Sequence, residues 1–234
     1  MNLKNMKNFF NDMLNVVYPE LCIVCDKEYP LEESCFCFSC TEELPFTGFS
    51  ETRDNLVEKF FWGRIEIEKG TAIFYFQKAE IIQELIHKFK YRGKTYIGSA
   101  LGKFYGKELI DVGYLNDVDL IIPIPIHPSK KRSRGYNQST VFAKEISRVS
   151  KIPLIENILL KSTKTKSQTT KSRSDRFELL KQSFKVKNAD QIDRKHVLLV
   201  DDILTTGATL EVASSLLKKH NVKVSIAVIA VGKY

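Results

Sequence analysis

Long apolar runs are missing from this chain of 234 residues. A helix that crosses a membrane needs roughly 18 consecutive apolar residues, and no stretch of the sequence approaches that length. Asparagine recurs at short intervals near the start of the chain, so the continuous apolar core of a secretory signal peptide is also missing. We therefore expect a cytoplasmic protein with no transmembrane segment.

Apolar residues instead recur at helical spacing through the first 17 positions, which predicts one amphipathic helix. This helix lacks a dense basic face, so docking on the body of the protein is favoured over a membrane surface. It begins an N-terminal part that we expect to run to residue 45.

Cysteine is scarce, with five residues, but four of them form two Cys-x2-Cys pairs with 11 residues between them. Cysteines at this spacing can turn back on a single ion, and four thiolates complete the tetrahedral coordination of zinc. The odd number of cysteines, without a secretory signal, argues against disulfide bonds. Such a closed site leaves no position for water, which indicates a structural role. The predicted ligands are Cys22, Cys25, Cys37 and Cys40, while Cys35 is either a spectator or a competitor of Cys37.

Acidic residues are few in one central part of the chain. The whole sequence has 36 lysines and arginines against 28 acidic residues, a net charge of +8. From His127 to Lys187 there are 16 basic and 4 acidic residues, so this segment carries +12 and the remainder −4. The segregation points to an anionic partner of this segment, either pyrophosphate, nucleic acid or both.

Apolar residues are missing altogether between Lys161 and Ser174, where five basic residues stand among serines and threonines. A segment of this composition cannot contribute to a core. It is either a disordered surface loop or, as long loops of compact domains often are, a lid or binding loop.

From residue 71 onward, short apolar strands alternate with amphipathic helices. This alternation predicts an α/β domain with a mostly parallel sheet and flanking helices. Ligands of such sheets bind at the carboxyl ends of the strands. We expect an N-terminal helix and zinc module at 1–45, a connector at 46–70 and the α/β domain at 71–234.

One strand of this domain ends in a pattern suited to a phosphorylated ribose. The apolar residues Val197–Val200 predict a buried strand, and Asp201 and Asp202 close it. The ionised aspartates can accept hydrogen bonds from two ribose hydroxyls and help to hold a hard cation. The next loop runs into a helix, so its backbone N–H groups and threonine hydroxyls suit a phosphate, and its glycine permits close approach. The predicted phosphate-binding residues are Leu204, Thr205, Thr206, Gly207, Ala208 and Thr209.

Other motifs fit these residues less well. A receiver domain also has an acidic strand end, but that strand opens its domain, whereas only one helix and one strand follow Thr209. Gly93-Lys94-Thr95 does not form a P-loop, because Lys88 stands where the first glycine is expected. A solvated acid pair at a strand end is the simplest alternative. The complete pattern instead resembles the 5-phosphoribosyl-1-pyrophosphate (PRPP) signature of type I phosphoribosyltransferases.

A combination of motifs from about residue 20 to the C-terminus is similar to the ComF family of competence-associated proteins. The combination is more specific than any single motif. The resemblance implies a type I phosphoribosyltransferase-like fold joined to a four-cysteine zinc module, and a role in DNA uptake and natural transformation. It also implies partners in the competence machinery, such as a DNA helicase. The motifs are the cysteine pairs, Phe89–Gly93, Ile122–Pro125, Arg132–Gln138 and the PRPP-type loop.

The resemblance further implies a pyrophosphate-binding segment after the strand that ends near residue 125. Positive charge is concentrated there, and guanidinium groups can bind two phosphate oxygens at once. The predicted residues are Lys131, Arg132, Arg134 and Gly135.

If the protein is an enzyme, the implied reaction is displacement of pyrophosphate from C1 of PRPP. Asp201 and Asp202 would hold the ribose, while Mg²⁺, Arg132 and Arg134 would stabilise the leaving group. No histidine or cysteine beside the motif indicates a general base or a covalent nucleophile. One alternative is a protein that binds PRPP or a nucleotide, and single-stranded DNA, without turnover. Another is a nucleobase salvage phosphoribosyltransferase.

The excess of positive charge is more than one pyrophosphate needs, so we expect single-stranded DNA as a further ligand. Tyr136 and Phe177 are candidate stacking residues. In the ComF family the long basic loop, which here begins near Lys161, carries a glutamine, an arginine and an asparagine. Gln168 and Arg176 match this pattern, but Leu179 replaces the asparagine. The predicted DNA-binding residues are Lys164, Lys166, Lys171, Arg173 and Arg176.

Overall fold

A computed structural model describes residues 21–76, 80–162 and 180–232. The predicted N-terminal helix lies outside these residues, and so does most of the basic loop. The chain divides into two compact units, residues 1–44 and 45–234. Within the described parts of the chain, no helix combines the length and the apolar character that a membrane crossing requires.

The described part of the first unit consists of turns and one short helix, α1 (Phe38–Glu43). The N–H of Cys22 donates a hydrogen bond of 2.8 Å to the carbonyl of Glu28 and closes the first turn. The small core includes a cluster of cysteines, since Cys22, Cys37 and Cys40 are all buried and contact one another, and few other residues, such as Phe36, are buried with them. So small an apolar core cannot hold a fold by itself, and units of this size commonly depend on a metal.

The second unit is built around a parallel sheet, as the sequence predicts. Its four strands run in the order β1-β6-β5-β2, and every neighbouring pair is parallel. The two central strands are buried along most of their length, which explains their nearly continuous apolar sequences. The strands are β1 (Gly70–Phe76), β2 (Leu120–Pro123), β5 (His196–Leu204) and β6 (Lys223–Gly232), with a separate antiparallel pair of β3 (Leu159–Lys161) and β4 (Phe184–Val186).

Helices flank the sheet and connect its strands. Two of the longest, Thr95–Asp111 and Gln138–Ser150, pack closely because Gly102 has no side chain: a Cβ there would lie 2.4 Å from the carbonyl oxygen of Phe142. The described helices of the second unit are α2 (Leu56–Lys59), α3 (Glu80–Tyr91), α4 (Thr95–Asp111), α5 (Pro128–Arg134), α6 (Gln138–Ser150) and α7 (Ala208–Lys218), with a 3₁₀ turn at Ala189–Gln191.

Residues 46–70, for which the sequence indicates a connector, lie in the second unit and contribute to its hydrophobic core. Val57 and Phe61 of this segment are almost fully buried. The amide of Asn55 donates a hydrogen bond of 2.7 Å to the carbonyl of Gly70 at the start of β1. The segment is therefore anchored to the edge strand of the sheet.

Candidate functional site

The two predicted aspartates lie at the carboxyl edge of the sheet. Strand β2 pairs with β5 up to Pro123, which stands opposite Val200. Asp201 is the next residue of β5, and on its other side it still pairs with Val228 of β6. Strand β5 thus extends beyond the end of β2. Asp201 and Asp202 therefore lie at the edge of the sheet where parallel sheets bind their ligands.

Asp201 is held by two hydrogen bonds to its Oδ1 atom. The hydroxyl of Ser139, in the first turn of α6, donates one at 2.8 Å, and the N–H of Asp202 donates the other at 2.9 Å. Burial and the adjacent charge of Asp202 raise the pKa of Asp201 to about 7, against the lowering influence of Ser139 and Lys90. This carboxylate therefore changes its charge near neutral pH.

Asp202 forms an ion pair with a lysine that the sequence did not single out. Nζ of Lys90 lies 2.9 Å from Oδ2 of Asp202, and both side chains are mostly buried, at 18% and 15% exposure. Lys90 belongs to the last turn of α3, in the Phe89–Gly93 motif. That motif therefore supplies a cation to the acidic end of β5.

A second lysine lies near the aspartates at the end of β3. Burial lowers the pKa of Lys161, while the negative charge of Asp201 raises it. Its Nζ also lies 4.7 Å from the ring centre of Phe184 on β4. Lys90 thus pairs directly with Asp202, while Lys161 interacts electrostatically with Asp201.

The predicted phosphate loop connects β5 to α7 and has the geometry that the sequence indicates. Thr205 and Thr206 are exposed, and Gly207 has a φ of +76°, a conformation that a glycine adopts without strain. The first hydrogen bond of α7 runs from the N–H of Glu211 to the carbonyl of Gly207, at 2.8 Å. The helix begins at Ala208, where its N-terminal dipole favours an anion.

Arg64 holds this loop through hydrogen bonds to backbone carbonyls. Its Nη1 atom donates hydrogen bonds of 3.2 Å to the carbonyls of Thr206 and Phe60, and it lies 3.5 Å from a carboxylate oxygen of Glu211. The residue lies in the segment interpreted from the sequence as a connector. It therefore connects that segment to the loop and to the first turn of α7.

The predicted pyrophosphate segment forms a short helix, α5, rather than an open loop. Pro128 occupies its first turn, and Nδ1 of His127 accepts a hydrogen bond of 3.2 Å from the N–H of Ser129. Gly135, with a φ of +83°, ends the helix. The stabilisation of the two helix ends, by Pro128 at the start and Gly135 at the end, therefore outweighs the repulsion among the basic side chains of the helix.

The basic residues of α5 divide between two environments. Lys131 and Arg132 line a cavity of about 620 Å³ at the end of β2, together with Lys161. Arg134 lies elsewhere, against Tyr91 of α3: its Cζ is 4.9 Å from the ring centre, and Nη2 donates to the Tyr91 hydroxyl at 3.2 Å. Arg134 is thus held in one orientation, whereas Lys131 and Arg132 face the cavity.

The turn into α6 contains buried polar atoms without partners among the described residues. The amide of Asn137 donates to the Ile124 carbonyl at 2.9 Å, but its Oδ1 and the Nε2 of Gln138 have no partner. Buried polar atoms normally form hydrogen bonds, so these two suit a water molecule or a ligand. The neighbouring Tyr136 donates its hydroxyl to the Phe89 carbonyl and is half-buried; its role in stacking stays a prediction.

In the first unit, the four predicted zinc ligands converge. One sulfur from each of Cys22, Cys25, Cys37 and Cys40 lies within 4.8 Å of the others, and the sulfurs of Cys25 and Cys37 are 3.9 Å apart. Zinc–sulfur bonds of 2.3 Å in a tetrahedron require sulfurs about 3.8 Å apart, so the group suits a zinc ion. Burial and the neighbouring thiols raise the pKa of Cys40 well above its usual value. Cys35 is buried but lies outside this group.

The residues predicted to bind DNA lie outside the described part of the chain, at positions 163–179. Three of the residues at the site, Lys90, Ser139 and Arg64, were missed in the sequence. Lys90 and Ser139 do stand in or beside the quoted ComF motifs, which was the one available signal. Arg64 carries no comparable signal, because its contact with Thr206 joins residues 142 positions apart.

Comparisons with known proteins agree with this geometry. A family profile described as "Phosphoribosyl transferase domain" matches residues 137–233. "Competence protein F" of Haemophilus influenzae is 29% identical, over 93% of this chain and 96% of that protein. "Competence protein ComFC" of Bacillus subtilis is 28% identical, over 63% of this chain and 58% of that protein. "DNA utilization protein YhgH" of Escherichia coli is 26% identical, over 62% of this chain and 65% of that protein.

The last two alignments span less than two thirds of those relatives. Among solved structures, an adenine phosphoribosyltransferase crystal structure aligns with 63% of this chain and 75% of its own, at 13% identity and a TM-score of 0.39. The fold is that of a type I phosphoribosyltransferase, with a four-cysteine cluster in the preceding unit. The chain is thus similar to competence proteins of the ComF type and carries a phosphoribosyltransferase domain.

Proposed function

We propose that this protein binds PRPP at the carboxyl edge of its sheet and serves DNA uptake and natural transformation. The observation that carries the proposal is the junction of β5 and α7, where two carboxylates precede a glycine-containing turn at a helix N-terminus. The names of the relatives, competence proteins and a DNA utilization protein, support the cellular role.

In this proposal the loop Leu204–Thr209 binds the 5-phosphate. The N-terminus of α7 favours negative charge, and the exposed hydroxyls of Thr205 and Thr206 offer further donors. The aspartates accept hydrogen bonds from the ribose hydroxyls. Asp201 already accepts two hydrogen bonds at its Oδ1 atom, and Asp202 pairs with Lys90 through its Oδ2 atom.

The diphosphate is assigned to the cavity at the end of β2. Lys131, Arg132 and Lys161 line it and provide the positive charge that a diphosphate requires. Mg²⁺, where bound, supplies further neutralisation of the leaving group, and the carboxylate oxygens of Asp201 and Asp202 are the ligand type that suits it.

Transfer of the phosphoribosyl group is the reaction that such a site would perform. The bond between C1 and the pyrophosphate oxygen breaks, a bond from an acceptor atom to C1 forms, and the acceptor gives up a proton. A preorganised cationic cavity would stabilise the charge that develops on pyrophosphate. Binding does not depend on this step, so binding and transfer are tested separately.

Single-stranded DNA is the proposed second ligand, with the basic segment as its binding surface. In the described residues, Lys130, Lys131 and Arg132 are exposed next to the phosphoribosyl site. Positive side chains release counterions from a phosphate backbone, so affinity should fall steeply with salt. The contribution of Lys164, Lys166 and Lys171 remains a prediction.

Structural zinc is the proposed occupant of the four-cysteine cluster. The sulfur spacing suits this ion, and the four thiolates leave no open coordination position. The metal would be the principal source of stability for residues 21–44.

The proposal is tested by calorimetric titration of the full-length protein with PRPP in the presence of Mg²⁺. We expect saturable binding with one site per chain. A parallel assay for pyrophosphate release over candidate nucleobase acceptors tests the transfer step. Absence of PRPP binding with Mg²⁺ present, in a protein shown to be folded, would contradict the proposal.

A further inference from the structure

The last turn of α3 contacts the acidic end of β5 and the basic helix α5. Nζ of Lys90 lies 2.9 Å from Oδ2 of Asp202. The next residue, Tyr91, accepts a hydrogen bond from Arg134 and lies under its guanidinium group. One helical turn therefore touches both β5, which carries the aspartates, and α5, the helix that also carries Lys131 and Arg132.

The negative charge of Asp202 is compensated by a lysine of the protein itself. The ammonium group of Lys90 pairs with its carboxylate, and both side chains are mostly buried. Mg²⁺ binds most readily where uncompensated carboxylates can coordinate it. A lysine that already neutralises Asp202 competes directly with a divalent cation at that carboxylate.

The position of Lys90 differs from that of the other lysine in the same stretch of helix. Lys88 is itself only 13% exposed, but it pairs with Glu84 of the same helix, at 3.3 Å, and that carboxylate is 62% exposed. Lys90 instead reaches from α3 to the end of β5, to a carboxylate that is 15% exposed. Its flexible four-carbon stem allows the ammonium group to move between nearby anions.

We propose that Lys90 is a PRPP-binding residue and the built-in counterion of Asp202. This inference rests on the proposed function. In the ligand-free protein, Lys90 neutralises Asp202 and excludes a divalent cation from it. When PRPP binds, the ammonium group turns to the phosphate oxygens of the ligand, and Asp202 is released to accept the ribose hydroxyls. The cation then enters together with PRPP rather than before it.

The test uses Lys90→Gln and Lys90→Arg, with Lys88→Gln as the matched control on the same helix. Binding of Mn²⁺, as a spectroscopic substitute for Mg²⁺, is measured on the ligand-free protein by electron paramagnetic resonance. We expect Lys90→Gln to strengthen Mn²⁺ binding about tenfold and to weaken PRPP binding about tenfold. Affinity for inorganic phosphate should change little. Lys90→Arg should restore PRPP binding, and Lys88→Gln should behave as wild type.

The outcomes separate this inference from the proposed function. A wild-type protein that binds no PRPP contradicts the proposed function itself. A wild-type protein that binds PRPP, with Lys90→Gln unchanged for both PRPP and Mn²⁺, overturns the role of Lys90 alone. Equal weakening of PRPP, phosphate and Mn²⁺ binding, together with a lower melting temperature, would show a merely structural ion pair and would also overturn it.

Discussion

The hydroxyl of Ser139 donates a hydrogen bond of 2.8 Å to Oδ1 of Asp201 across 62 positions of sequence. The bond joins the first turn of α6 to the end of β5. Burial raises the pKa of Asp201 to about 7, and the hydroxyl opposes this rise because it stabilises the charged carboxylate. Ser139 therefore helps to determine how much of the protein carries an ionised Asp201 at neutral pH.

Replacement of Ser139 by Ala should make PRPP binding more dependent on pH. Hydrogen bonds to charged groups contribute about 1.5–3 kcal/mol, so their loss raises a pKa by about one to two units. We expect a several-fold loss of PRPP affinity near pH 7 and a much smaller loss near pH 9, measured by calorimetry. Ser147→Ala, on the same helix but bonded to the Ile152 carbonyl, is the control. A loss of equal size at every pH would contradict this role.

Replacement of Asp201 by Asn should stabilise the protein at alkaline pH while it weakens ligand binding. An aspartate ionises near pH 3.9 when unfolded and at about 7 in this fold. The folded state therefore binds more protons between these values, and the stabilisation present below about pH 4 is lost as the pH rises through 7.

The asparagine keeps an oxygen that can accept from Ser139 but carries no charge. The free energy of unfolding near pH 8 should rise on the order of 1 kcal/mol, which urea denaturation measures. Below about pH 4 wild type and variant should converge. A variant less stable than wild type near pH 8 would show that the negative charge of Asp201 does not destabilise the folded protein.

Replacement of Gly207 by Ala should impair the phosphate loop through its backbone. The φ of +76° is unfavourable for alanine, although the nearest atom to a new Cβ, Nη1 of Arg64, is 3.4 Å away. We expect a destabilisation of about 1–2 kcal/mol and weaker phosphate binding. Gly48→Ala is the matched control, with a φ of +66° and open space around the Cβ. It should lose similar stability but retain phosphate binding; equal losses of binding in both variants would count against the loop.

Single replacements of cysteine by serine should distinguish the zinc ligands from Cys35. Elemental analysis of protein purified without added metal should give about one zinc per chain. Cys40→Ser should lose the zinc, and hydrogen exchange should then show residues 21–44 unprotected. Cys35→Ser should keep the zinc, since Cys35 lies outside the convergent group. Zinc retained by Cys40→Ser but lost by Cys35→Ser would reverse the assignment.

Local patterns in the sequence were sufficient to predict the junction of β5 and α7. A buried apolar run, two acids and, five positions later, a glycine occur there between Val197 and Gly207, and each acts on its own neighbours in the chain. The cysteine pairs are similar, because their spacing alone permits them to converge on one ion.

The contacts that complete the site depend on packing between distant segments. Lys90 stands at the polar end of an amphipathic helix, where a lysine usually faces solvent, and only the placement of α3 beside β5 brings it to Asp202. The helix α5 was not predicted for a related reason. Its basic side chains suggest an open loop, whereas Pro128 and Gly135 at its ends favour a helical turn.

The most direct test of the PRPP site compares two ligands on one variant. Asp201→Ala/Asp202→Ala removes the acceptors for the ribose hydroxyls but leaves the loop Leu204–Thr209 intact. Calorimetry with PRPP and with inorganic phosphate should show that PRPP affinity falls at least about tenfold, while phosphate affinity falls much less. Unchanged PRPP affinity would remove the aspartates from the site, and equal loss for both ligands would mean that they only maintain the fold.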